Sequence, residues 1–153
     1  MIDSSFDYDA YEKKCEVIRA ENEEYLDGFE QHLIERGLSK KTVRTHVSNA
    51  YLYISEFLLY EEAQDLRTGC GYQISLFLGD WFIRKAMWSS PANIRSNAAS
   101  IKKFYKYLLD NDVVEQSDYD ALLDVIKTEM PRWLERMQRY DDDDDYCPCA
   151  TLE

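Results

Sequence analysis

Apolar residues recur along most of the chain at three- and four-residue steps, the period of helices packed on one side. From about Tyr11 to Arg36 the stripe is Cys15, Ile18, Tyr25, Leu26, Phe29, Leu33 and Ile34. It predicts one long helix, or two with a break near Ala20 to Asn22. Gly37 follows as a C-cap able to take the left-handed conformation. Ser39 is a natural N-cap for the next helix. That helix carries a core stripe of Val43, Val47, Ala50, Tyr51, Ile54, Phe57 and Leu58. Lys40, Lys41, Arg44 and Ser48 fall off the stripe, on the solvent side. Gly69 and Gly71 then interrupt the pattern. A third segment, from about Tyr72 to Met87, is apolar nearly all round through Ile74, Leu76, Phe77, Leu78, Trp81, Phe82 and Ile83. Such a helix belongs near the centre of a bundle.

Ser89-Ser90-Pro91 is the sharpest boundary in the chain, because Pro at the first helical position follows a serine cap. It predicts a fourth helix from about Pro91 to Asp110, with Ile94, Ala98, Ile101, Tyr105 and Leu108 inside. After Asn111-Asp112, Ser117 is expected to cap a last helix running to about Arg139. Its stripe is Leu122, Val125, Ile126, Met130, Trp133, Leu134 and Met137, and Pro131 is expected to kink or divide it. Asp141 to Asp145 is a like-charge run, expected to be a solvated, disordered tail.

The fold class expected is therefore all-α. The scarcity of turn-formers agrees, with five Gly and three Pro in 153 residues. That length suits one domain with a substantial core. No run approaches a membrane span, and the acidic start lacks the pattern of a signal peptide, so a cytoplasmic protein is expected. Cys15 and Cys70 read as buried or half-buried thiols of a reducing compartment, and Cys147 and Cys149 as part of a frayed tail.

Charge changes the picture. The net charge of −12 argues against a polyanionic partner, but it is unevenly spread. Residues 1–30 carry −7, residues 31–110 carry +4, and residues 111–153 carry −9. A basic centre between acidic ends points to a charged partner, or to masking of the centre by the ends.

Candidate chemistry is sparse. His32 and His46 are isolated in helical patterns and lack the partner spacing of a zinc site or a nucleophile–base pair. There is no glycine-rich phosphate loop and no nucleophile elbow. The acidic clusters lack the glycine-turned spacing of a calcium loop. A chain without enzymatic activity, cofactor or metal is expected. The positive constellation lies on two helices. Lys40, Lys41 and Arg44 mark the second, and Arg95, Lys102, Lys103 and Lys106 the fourth. Ser39, Thr42, Thr45, Ser48, Asn93, Ser96, Asn97 and Ser100 lie beside them. Arg, Lys, short hydroxyl and amide side chains, and helix N-termini are the groups that contact phosphates. The competing reading is an ordinary solvated helix face.

Two runs carry a family likeness. One is Leu33-Ile34-Glu35-Arg36-Gly37-Leu38-Ser39-Lys40-Lys41-Thr42-Val43-Arg44, preceded by Tyr25-Leu26. The other is Ser90-Pro91-Ala92-Asn93-Ile94-Arg95, continued by Ile101-Lys102-Lys103-Phe104-Tyr105-Lys106-Tyr107-Leu108. In this order they resemble the N-terminal core-binding domain of tyrosine recombinases (phage integrases), over about residues 20–112. The resemblance implies a SAM-like four-helix bundle that clamps duplex DNA with its second and fourth helices. On it, Lys40, Lys41, Arg44, Arg95, Lys102, Lys103 and Lys106 become phosphate contacts. The chain departs from the family in having only about forty residues after the match, with no His among them. A strand-cutting domain does not fit there.

The expected organisation is an acidic, partly helical extension over 1–20, the bundle over 21–112, an additional C-terminal helix over 113–140 packed on it, and the acidic tail over 141–153. A second reading is a protein-interaction module. It would bind a recombinase or another protein partner through Met130, Trp133 and Met137, or mimic DNA with the tail.

Overall fold

Asp7 opens the first helix, its carboxylate accepting the N–H of Ala10 at 3.2 Å. The structure is a computed structural model that describes residues 7–86 and 89–145, with side chains through residue 140. The described residues are all-α, with no strand among them. None of their helices is long and apolar enough to cross a membrane.

Helix α1, Tyr8–Glu35, is continuous. The break expected near Ala20 to Asn22 is absent, because Asn22 faces inward instead of ending the helix. The amide of Asn22 is buried and donates to the carbonyl of Ile54 and to Ser55 Oγ, each at 3.1 Å. The boundary drawn at residue 20 therefore falls inside one rod. Cys15 and Ile18 bury against Leu59 in a small cluster beside the main core. Ile34, expected inside, is 51% exposed, because Leu33 takes the inward position of the last turn. Gly37 turns the chain at φ 84°, the left-handed conformation its sequence position suggested.

Helix α2 begins as Lys40–Tyr51, with Ser39 Oγ accepting the N–H of Thr42 at 3.2 Å. It continues as the π-helical segment Leu52–Phe57. The wider π turn rotates the following residues relative to a 3.6-residue stripe. Tyr51, expected in the core, is 44% exposed, and Tyr53, within the π segment, is fully buried. The Tyr53 hydroxyl donates to the carbonyl of Gly69 at 2.6 Å. A short 3-10 turn, Leu66–Cys70, follows. Burial pushes the Cys70 thiol up to about 12.

Helix α3 is built from three consecutive pieces: Gln73–Leu76, the π segment Phe77–Trp81, and Phe82–Lys85. Ile74, Phe77, Leu78, Phe82 and Ile83 are buried as expected, while Leu76 faces solvent. The two π segments meet through their aromatics, with Phe57 and Phe77 centroids 5.1 Å apart. Helix α4, Pro91–Asp110, starts where Ser90 Oγ accepts the N–H of Asn93 at 3.1 Å. It buries Ile94, Ala98, Ile101, Phe104, Tyr105 and Leu108.

Helix α5, Gln116–Asp145, differs from expectation at both ends. Its start is closed by Asp118, whose carboxylate reaches back to the N–H of Glu115 at 3.1 Å. Ser117 lies inside the first turn rather than at the cap. Pro131 does not divide the helix. Pro131 and Lys127 both face solvent, so water can satisfy the carbonyl that the missing N–H leaves free. The backbone stays helical through Asp145, where a disordered tail was expected. The remainder of that tail, with Cys147 and Cys149, lies outside the described residues.

Candidate nucleic-acid interface

Helices α2 and α4 pack side by side across a polar seam. His46 Nδ1 lies 2.8 Å from Ser100 Oγ. Asn49 Nδ2 donates to Ser100 Oγ at 3.0 Å and to Ser96 Oγ at 3.3 Å. Later residues of α2 thus meet earlier residues of α4, so the two helices run antiparallel. Ser100 is fully buried, which makes its hydroxyl a seam bond and not an accessible nucleophile.

The seam joins two stretches of sequence that carry no acid. Residues 36–55 and 81–109 contain none of the chain's 30 acids but ten of its 18 bases. Lys40, Lys41, Arg44, Arg95, Lys103 and Lys106 are exposed, and Lys102 is half-buried. Among the described residues, only Lys106 of these seven has an ion-pair partner, Asp110 at 3.1 Å. Five other bases are tied to acids. Arg67 pairs with Asp65 and Glu21, and Arg84 and Arg136 both pair with Asp80. Arg132 pairs with Glu129, and Arg139 with Glu135.

The seven expected contacts do not form one patch. Lys40 and Arg44 line a groove between α1 and α2, beside Glu30 and the exposed Ile34. Lys102, Lys103 and Lys106 line a second groove between the end of α1, α4 and the start of α5. Leu38 borders both grooves, and the first turn of α2 stands between them. Arg95 lies near the start of α4, at the far end of the seam. The second groove adds Arg36, which the helical stripes passed over because it sits between the end of α1 and Gly37. His46 belongs with this set as well. Burial holds its imidazole below its ordinary value, and the charge of Lys103 lowers it further.

The acidic ends of the chain emerge elsewhere. Near the start of α1, the Tyr11 hydroxyl donates to the carbonyl of Leu59. Near the end of α5, Arg136 meets Asp80 at 2.6 Å. Tyr60 and Trp81, 5.9 Å apart, join these two places. The start of α1 and the latter part of α5 therefore lie towards the π-helical end of α2. Its first turn lies roughly 25 Å away along the helix, against a screening length of about 8 Å in physiological salt.

Met130, Trp133 and Met137 do not present a partner surface. Trp133 and Met137 are each 1% exposed, and Met130 packs half-buried on the core. The Trp133 indole donates to Ser75 Oγ at 3.2 Å and fills the space above Gly79. The Met- and Trp-rich stripe holds α5 to α3 and is spent inside the bundle. No group of three or more His, Cys, Asp or Glu among the described residues is placed to hold a metal ion. No family model, curated protein or solved structure matches this chain.

Proposed function

We propose that this chain is a non-catalytic DNA-binding domain that grips duplex DNA through the α2–α4 layer. One observation carries the reading: two helices lie side by side whose only acids, Glu56 and Asp110, stand at their C-terminal ends, and six of their seven candidate bases have no ion-pair partner among the described residues, in a chain of net charge −12. In a strongly acidic protein, a concentration of unpaired bases that outnumbers the bordering Glu30 and Asp110 suits an anionic partner. Lys40, Lys41, Arg44, Lys102 and Lys103 are long enough to reach phosphates on either side of the α2 N-terminus, and Arg95 to reach one at the other end of the seam. Ser39, Thr42 and Thr45 add hydroxyls, and the first turn of α2 contains no acid to oppose the helix dipole. The start of α1 and the end of α5, which carry many of the acids, lie towards the opposite end of α2, although Glu30 borders the first groove and Asp110 the second.

The resemblance to the core-binding domain of tyrosine recombinases points to the same two helices and to a SAM-like bundle. On this reading α5 is an addition that closes the bundle with Trp133 and Met137. Binding would be largely sequence-independent and driven by release of counterions. Titration of a labelled duplex at rising salt tests it. Affinity should fall steeply and linearly on logarithmic axes, and a chain with no measurable affinity at low salt would not be a DNA-binding domain.

A further inference from the structure

The groove bounded by the end of α1, α4 and the start of α5 has features that a simple phosphate grip does not use. Its volume is about 560 Å³, within the range of pockets that hold small ligands. Arg36, Lys102 and Lys103 line it with no ion-pair partner among the described residues, and its one acid, Asp110, is held by Lys106. Two other grooves differ in charge, and the groove of Lys40 and Arg44 has no aromatic ring in its lining. Between α3 and α5, Arg132, Arg136 and Arg139 are each already paired with an acid. Along α1, Glu23 and Asp27 outnumber Arg19.

The same groove is walled by rings. His32 and Tyr107 centroids are 5.4 Å apart, and Lys106 Nζ rests 5.9 Å from the centroid of Tyr119. Three unpaired cations beside half-buried aromatic rings suit a ligand with a phosphate at one end and a flat ring at the other. Stacking platforms combined with a basic track are how proteins hold unpaired nucleotides.

We propose that this groove takes a single unpaired nucleotide at the end of a DNA strand. The phosphate lies among Arg36, Lys102 and Lys103, and the base lies against Tyr107 and Tyr119. This deepens the duplex-binding reading, but it rests on the rings as well as on the charges.

The test compares a blunt duplex with the same duplex carrying a 5′-phosphorylated thymidine overhang, by fluorescence anisotropy at fixed salt. The overhang should bind about tenfold more tightly. Tyr119→Leu should abolish that advantage and leave blunt-duplex binding unchanged, while Tyr119→Phe should keep it. Lys102→Glu, on the open wall of the groove, should remove the preference for a phosphorylated over an unphosphorylated overhang. Competition by thymidine monophosphate alone, at concentrations that leave the blunt duplex bound, would assign the groove to the free nucleotide and overturn the strand-end proposal. Equal affinity for blunt and overhanging duplexes, or an advantage that survives Tyr119→Leu, would overturn it too. If an overhanging strand binds while the blunt duplex does not, the groove assignment stands and the duplex grip fails.

Discussion

His46 on α2 and Ser100 on α4 meet at 2.8 Å, in a seam that also contains Asn49 and faces Lys103. Ser100 has one hydroxyl proton, and donating it to Nδ1 requires His46 to be neutral, with its own proton on Nε2. Burial and the nearby lysine favour that same neutral form.

A pH dependence follows. The folded protein holds the His46 pKa below its ordinary 6.5, so below that pH the unfolded chain takes up a proton that the folded chain refuses. The contribution is fully present above the ordinary value. It is lost as pH falls towards the folded pKa, and below that the effect levels off. Urea midpoints for the native protein should therefore drop between about pH 7.5 and pH 5.5 by more than those of His46→Gln. Parallel curves for the two proteins would show that His46 titrates equally in both states.

Gly79 sits in the π segment of α3, where an alanine would ordinarily stabilise a helix. A Cβ there would lie 2.6 Å from Cδ1 of Trp133. The clash should reverse the usual sign. Gly79→Ala is expected to destabilise the protein by about 1–3 kcal/mol, measured as a lower denaturation midpoint at unchanged m-value. A neutral or raised midpoint would mean that α5 does not seat on α3 through this indole.

Asn22 joins α1 to the π segment of α2 through the carbonyl of Ile54 and Ser55 Oγ. Asn22→Leu would leave both groups buried without that donor. The expected loss is about 1–3 kcal/mol. If Asn22→Leu is as stable as the native chain, the π segment does not depend on this amide.

These interactions mark where the fold was legible and where it was not. Ser39, Ser90-Pro91 and Gly37 act through local chemistry, and the helix boundaries they suggested are the ones found. The inner face of α4 followed the 3.6-residue period because that helix is regular throughout. The period failed over Tyr51 and Tyr53, at the junction with the π segment, and no local signal announces such a turn. Asn22 resembled a helix breaker because its partner lies 32 residues away. The apolar stripe of α5 was visible, but sequence does not say whether a stripe meets its own bundle or another protein. Trp133 and Gly79 answer that only in three dimensions. The basic residues were likewise identifiable as residue types. Their division between two grooves, and the recruitment of Arg36 and His46, depended on how α1, α2 and α4 pack.

The central claim is that the unpaired bases of the α2–α4 layer grip DNA. Its most direct test is the salt dependence of duplex binding by Lys102→Glu/Lys103→Glu, set against Arg132→Glu/Arg139→Glu. Both variants change net charge equally, but the second pair lies on α5, outside the layer. Losing two phosphate contacts should reduce the slope of log affinity against log salt by about 2, with weaker binding at low salt, while the control pair keeps the native slope. Equal slopes and affinities for the α4 variant and the native chain would contradict the claim.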